Sequence, residues 1–281
     1  MKLALGTVQF GLDYGVTNLS GQVTIDEVRS ILTFAKNNKI NTLDTASVYG
    51  NSEQVLGCCG VDNYQIITKT ISLENSVDEV INGFYKSLES LGQKQVEGLL
   101  VHDMNNIENE QFDALFSKLN ELKQQGLIEK IGFSAYMPEQ VDFLLENFDF
   151  DLIQLPFNVF DNRLIVEGQL KKLKAKSIEI HARSVFLQGI LLNFDNLSDY
   201  FLTWERQFIE YQAMVKNSGL SLLEYALTFV LSIQEIDKIL VGVDSENQLK
   251  EIVQAVKKQA SLEAYPIDDI NLLNPSNWNP R

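Results

Sequence analysis

Short apolar runs alternate with longer segments in which apolar residues recur every three or four positions, and the alternation continues along the whole chain. Eight runs read as strands: Lys2 to Leu5, Thr42 to Asp44, Gln65 to Lys69, Gly98 to His102, Lys130 to Ser134, Leu152 to Leu155, Glu179 to Arg183 and Lys238 to Gly242. Between them, spacings such as Val77, Val80, Ile81, Phe84, Leu88, Leu91 and Phe112, Leu115, Phe116, Leu119, Leu122 predict helices with one apolar stripe turned toward a sheet. Helix starts are marked by Thr24 with Glu27, Ser76 with Glu79, Ser221 with Glu224 and Ser245 with Gln248. In each pair a hydroxyl and an acid or amide are expected to satisfy free backbone donors reciprocally. Eight βα units in this length predict an α/β fold of the parallel eight-stranded (β/α)8 (TIM) barrel type, a single domain over residues 1–281. The rival, an open doubly wound sheet, would want G-x-G-x-x-G after the first strand. The glycines there fall at 6, 11 and 15, which does not fit. The stretch from Ser184 to Ser218 is long for a βα connection, and it predicts an excursion after strand 7 with its own helix, a candidate substrate lid.

Composition narrows the function. With 281 residues and 45% hydrophobic content the chain can bury one large core, and no linker-like stretch divides it. Lys and Arg number 23 against 38 Asp and Glu, a net charge of −15 that opposes nucleic-acid backbones and anionic membrane surfaces. No apolar run approaches a membrane span and the start does not resemble a signal peptide, so a cytoplasmic location is expected. The two cysteines, Cys58 and Cys59, are neighbours and match no zinc spacing, and His102 and His181 are the only histidines. No metal site is expected, which weakens a reading as a metal-dependent isomerase or hydrolase.

Polar residues stand where successive strands run out: Asp44 and Tyr49 in LDTASVYGNSE, Lys69 closing QIITK and His102 closing GLLVHD. In a barrel of this kind, side chains beyond the C-terminal strand ends converge on one mouth. A free phenol titrates near ~10, and an adjacent cation is expected to lower that by roughly 1–3 units while stabilising the phenolate. Lys69 would be that cation, Asp44 the anion that keeps it charged, and His102 the donor that fixes a carbonyl oxygen. None of these residues can supply a hydride, so a nicotinamide cofactor is implied.

These motifs resemble the aldo-keto reductase family, in particular its short bacterial branch. LGTVQFGLDYGV looks like the first strand and loop, and the likeness extends through IGFSAY, IQLPFNVFD, ARSVFLQGIL and VGVDSENQL to NPSNW. The resemblance implies that Asp44, Tyr49, Lys69 and His102 are catalytic, with Tyr49 the general acid in NAD(P)H-dependent reduction of an aldehyde or ketone, a sugar carbonyl among them. It implies further that Ser134 and Gln154 hold the nicotinamide carboxamide and that Arg183 replaces an aromatic residue stacked on the ring. Gly6 and Thr7, the loop residues Ser184, Phe186, Gln188, Gly189 and Leu191, and the segment Gly242, Val243, Asp244, Ser245 and Gln248 would complete the cofactor site. The cations with which many relatives clamp a 2′-phosphate are absent from that last segment. Family frequency slightly favours NADP(H), with NAD(H) the alternative. Tyr14, Phe157, Phe160 and Trp204 are the expected substrate-pocket wall, and a short tail after the last helix suggests an open pocket. A cofactor-binding sensor or scaffold subunit with little turnover is the alternative function, and the oligomeric state is left open.

Overall fold

The computed structural model describes residues 1–18, 20–195, 197–258 and 260–278. Eight strands, β1 (Leu3–Gly6), β2 (Thr42–Asp44), β3 (Gln65–Lys69), β4 (Val96–Val101), β5 (Ile128–Ser134), β6 (Leu152–Pro156), β7 (Glu179–Arg183) and β8 (Lys238–Gly242), close into a barrel in sequence order. Every neighbouring pair is parallel, and β8 returns to β1 with Leu3 opposite Ile239 and Gly6 opposite Gly242. Four strands match their expected limits, while β1, β4, β5 and β6 shift or lengthen at an end. His102 therefore lies just past β4 rather than within it.

Alternation along the strands fills the barrel in layers. Halfway up, Ile67, Leu100 and Leu152 form a small apolar cluster of their own. Two glycines make room for it. A Cβ on Gly132 would lie 2.1 Å from the Leu152 carbonyl oxygen, and one on Gly98 would lie 2.8 Å from Ile67 Cδ1. Toward the N-terminal strand ends, Lys130 Nζ bridges Glu97 and Glu179 at 2.7 Å each, and Glu179 also meets His181 Nε2 at 2.7 Å. The His181 contact, opposed by burial and reinforced by Lys130, holds the Glu179 carboxyl down at about 2. The lower end is thus sealed by paired charges, and the mid-barrel plug leaves only the upper end open.

The connecting helices bury the stripes their spacing predicts, as with Val80, Phe84, Leu88 and Leu91 on the helix Val77–Leu91. Hydroxyl caps occur at Thr24, Ser76, Ser221 and Ser245. Of these four starts, reciprocal capping is found at Ser221 with Glu224. At the other three starts the partner side chain is drawn elsewhere by a nearer donor: Glu27 accepts from the Glu246 N–H, Glu79 from Asn75 Nδ2, and Gln248 from the Asp244 N–H.

After β7 the chain runs through short 3-10 stretches at Leu187–Leu192 and Asp199–Trp204 into the helix Glu205–Ser218. Trp204 Nε1 donates to Asp269 Oδ2 at 3.1 Å and Tyr200 Oη to the Asn271 carbonyl at 2.9 Å, which strap the excursion to the C-terminal segment. Among the described residues no helix is long and apolar enough to cross a membrane.

Candidate active site

The four strand-end residues come together at the open mouth. Asp44 ends β2 and Lys69 ends β3, and Lys69 Nζ donates to Asp44 Oδ2 at 2.7 Å and to the Thr45 carbonyl at 2.9 Å. The Lys69 side chain has no exposed surface. Its ammonium lies 4.9 Å from the centroid of the Tyr49 ring, and the His102 ring meets Tyr49 edge-on with centroids 6.1 Å apart. The loop that carries Tyr49 is seated on Gly11, where a Cβ would come within 1.9 Å of the Tyr49 carbonyl oxygen. Ser52 pins it from the other side, donating to the Thr7 carbonyl at 2.8 Å.

Electrostatics set the protonation of each group. Burial would strip the proton from Lys69, but Asp44 and the Tyr49 phenol outweigh it and the ammonium is held above its ordinary range. The net direction for Tyr49 is upward, contrary to the expected lowering: desolvation raises it, Lys69 pulls it down and Asp44 raises it again. The phenol is therefore firmly protonated, with a cation beside it to receive the phenolate. His102 is depressed to about 4 by burial first and the positive charge of Lys69 second, so its imidazole is neutral at physiological pH. Tyr14, near Tyr49, is pushed up to about 12 chiefly by burial.

The mouth opens into a cleft of about 650 Å³ lined by Gly6, Thr7, Tyr14, Asp44, Tyr49, His102, Ser134, Gln154, Arg183, Ser184, Phe186, Gln188, Gly189, Gly242, Asp244 and Gln248. Val243 is buried behind this wall, and Leu191 is buried too. Ser245 serves as a helix cap, its Oγ accepting from the Gln248 N–H at 3.3 Å. Of the expected pocket wall only Tyr14 lines the cleft. Phe157, Phe160 and Trp204 are core residues: Phe157 stacks on Phe229, Phe160 on Phe208, and Trp204 is 4% exposed. An aromatic side chain at a barrel mouth gains more by burying both faces than by leaving one wet, and the helices Glu205–Ser218 and Leu222–Ser232 supply the second face, through Phe208 for Phe160 and Phe229 for Phe157. Pro275 and Ser276 also reach the cleft, so the short tail contributes to its wall rather than leaving it open.

Two expected cofactor contacts are differently engaged. Gln154 Nε2 donates to Asp44 Oδ1 at 2.7 Å, so both carboxylate oxygens of Asp44 are held, one by Lys69 and one by Gln154. Arg183 does not point along the cleft as a free plane. Its Cζ lies 4.0 Å over the ring of Tyr136, and Nη2 donates to the Ala135 carbonyl at 3.2 Å.

Tyr136, Gln9 and Glu251 line the cleft without having been singled out in the sequence. Tyr136 follows β5 directly in GFSAY, and Gln9 stands in the first loop motif, so position relative to the strand ends was the available signal. Glu53, also not singled out, lies outside the cleft lining. Its buried carboxyl accepts from Thr68 Oγ1 at 2.7 Å, one position from Lys69, and burial raises it above the ordinary carboxylate range.

Several observations suit a nicotinamide dinucleotide. The facing ends of β1 and β8 carry glycines, Gly6 and Gly242, that leave backbone bare at the cleft edge. Gln9 Oε1 and Asp244 Oδ1 are buried acceptors with no hydrogen-bond partner among the described residues, both on cleft-lining side chains. The loop Ser184 to Gly189 is curled by left-handed residues at Ser184, Leu187, Gln188 and Gly189. Strain of this kind costs on the order of 1 kcal/mol per non-glycine residue and concentrates at ligand sites.

Comparison with known proteins follows the same line. The family model described as Aldo/keto reductase family matches residues 2–273. The chain is 25% identical to the uncharacterized oxidoreductase YqkF of Bacillus subtilis over 284 residues, 90% of each chain. It is 26% identical to L-galactose dehydrogenase of Arabidopsis thaliana over 281 residues, 92% of this chain and 87% of the relative. Among solved structures, the holo form of the aldo-keto reductase AKR11C1 from Bacillus halodurans superposes with a TM-score of 0.75 at 20% identity, over 93% of this chain and 88% of the other, a likeness of fold.

Proposed function

The chain belongs to the aldo/keto reductase family, and from that premise we propose that it is an NAD(P)H-dependent oxidoreductase that reduces an aldehyde or ketone to an alcohol with Tyr49 as general acid. The observation that carries this reading is the fully buried Lys69 ammonium, 2.7 Å from Asp44 and 4.9 Å from the Tyr49 ring centroid. Such a cation has no structural use that an apolar side chain could not serve more cheaply. Beside a phenol it stabilises the anion left when the proton departs.

Gly6, Thr7, Ser134, Gln154, the Ser184–Gly189 loop and the Gly242–Gln248 segment would hold the coenzyme. When bound, a nicotinamide coenzyme supplies the hydride. Tyr49 gives its proton to the carbonyl oxygen as negative charge gathers there, and Lys69 steadies the resulting phenolate. Asp44 keeps Lys69 ionised. Neutral His102 donates an N–H to the same oxygen and fixes its approach. Gln154, with its amide nitrogen committed to Asp44, offers its carbonyl oxygen to a carboxamide N–H.

Coenzyme choice is assigned to another part of the cleft, where the lining residues Asp244, Gln248 and Glu251 include no Lys or Arg. A 2′-phosphate there would face carboxylates. The lean toward NADP(H) that the family resemblance suggests is accordingly small, and NAD(H) is accepted as well. A sugar carbonyl as substrate is supported by the likeness to L-galactose dehydrogenase of Arabidopsis thaliana.

The test follows NAD(P)H absorbance over a panel of small carbonyls with the wild type and Tyr49→Phe. Loss of about 10²–10⁴-fold in kcat is expected on removing the one oxygen. Coenzyme binding with no turnover on any carbonyl, unchanged by the substitution, would assign the chain to the sensor or scaffold class instead.

A further inference from the structure

We propose that Arg183 selects carbonyl substrates bearing an anionic group, a carboxylate or phosphate, placed near the reacting carbon. The proposal rests on the reductase reading above and names the substrate class for that site.

Among the described residues lining the cleft, Arg183 is the one Lys or Arg. Lys69 lies beneath the floor, bound to Asp44. Arg183, by contrast, has no carboxylate within 4 Å among the described residues, although Asp and Glu outnumber Lys and Arg by 38 to 23. In so acidic a chain a lining guanidinium left without a carboxylate keeps its charge available for the anion of a ligand.

The group is also prearranged. Tyr136 supports its face at 4.0 Å, Ala135 holds Nη2 at 3.2 Å and Ser184 Oγ lies 3.4 Å from Nη1. These contacts fix the plane and leave further N–H donors of the fork for a second acceptor. A planar fork held in this way suits two oxygens of a carboxylate or phosphate better than a point charge does.

Anionic oxygens in this cleft have two sources, the substrate and the diphosphate of the coenzyme. Position favours the substrate. From the end of β7 the guanidinium leans toward β5, held by Ala135 and Tyr136 just past Ser134, in the cleft that Tyr49 and His102 also line. The segment Asp244 to Gln248 follows β8, on the other side of β7.

The experiment compares matched pairs, succinate semialdehyde with butanal and D-glucuronate with D-glucose, in the wild type, Arg183→Met and Arg183→Lys. Coenzyme affinity is measured separately by fluorescence titration. The expected result is an anionic-to-neutral ratio of kcat/KM of about 10- to 100-fold in the wild type, carried mainly by KM. That ratio collapses toward unity in Arg183→Met and falls between the two in Arg183→Lys. A wild type that reduces both members of each pair equally overturns the proposal and leaves the reductase reading standing, and this arm needs no variant to fold. A ratio that persists in Arg183→Met overturns it too. So does a ratio unchanged while coenzyme binding weakens, because the guanidinium would then serve the diphosphate. If no carbonyl in either pair is reduced, the reductase reading fails and the substrate proposal falls with it.

Discussion

Asp44 shows how much one residue depends on partners far away in the chain. Lys69 lies 25 positions away and Gln154 lies 110 away, yet each takes one carboxylate oxygen at 2.7 Å. That Asp44, Tyr49, Lys69 and His102 would gather at one mouth was legible because successive strand ends of a barrel converge there. The Gln154 bond was not legible, since nothing in a local pattern says which of several amides will face a given carboxylate across a barrel. Gln154→Leu is expected to lower kcat by about tenfold, the cost of leaving a buried charge short of one donor. Stopped-flow hydride transfer measures it, and an unchanged rate would mean that Lys69 alone fixes Asp44. His102 gives a pH signature. Its pKa falls from 6.5 to about 4 in the fold, so between those values the unfolded chain binds more protons and stability rises with pH. The contribution is lost as pH falls through the same window. Thermal unfolding from pH 4 to 7 should show this rise reduced by on the order of 2 kcal/mol in His102→Phe.

At the scale of elements, hydrophobic period located every strand, and hydroxyl caps located the four marked helix starts. Strand ends were less legible, because hydrogen bonding to a neighbour and not local composition decides where pairing stops. The aromatic residues Phe157, Phe160 and Trp204 were misplaced for a related reason: spacing puts them near the mouth, but the side chains that cover them, Phe229, Phe208 and Tyr200, are brought there by tertiary packing. The mid-barrel plug offers a sharp test. Gly132→Ala drives a methyl to 2.1 Å from the Leu152 carbonyl and so wedges β5 from β6. A loss of at least about 2 kcal/mol in urea unfolding is expected. A stable Gly132→Ala protein would show that the strands can part without cost and that the layer is looser than its contacts imply.

For the molecule as a whole, two parts of one cleft carry opposite charge, Arg183 at the end of β7 and Asp244 with Glu251 beyond β8. Net charge was readable from composition, but its division between these parts depends on which strand and loop termini the barrel gathers. The acidic part predicts coenzyme behaviour. Dissociation constants for NADH and NADPH should agree within about tenfold, and Asp244→Lys should tighten NADPH by roughly tenfold while leaving NADH little changed. Fluorescence titration decides it. A strong preference for NADPH that Asp244→Lys does not alter would place phosphate recognition on other residues.

The strap between the excursion and the tail has a consequence for anyone redesigning this enzyme. Leu192 and Asn193 form one part of the rim and Pro275 and Ser276 another, while Tyr200 and Trp204 bond to Asn271 and Asp269 across some seventy positions of sequence. Grafting a new loop from a homologue onto the first segment alone would break its anchors to the second. Swaps of specificity should therefore be made as matched pairs, loop and terminus from the same donor, and chimeras that exchange only one are expected to lose the shape of the opening before they acquire a new preference.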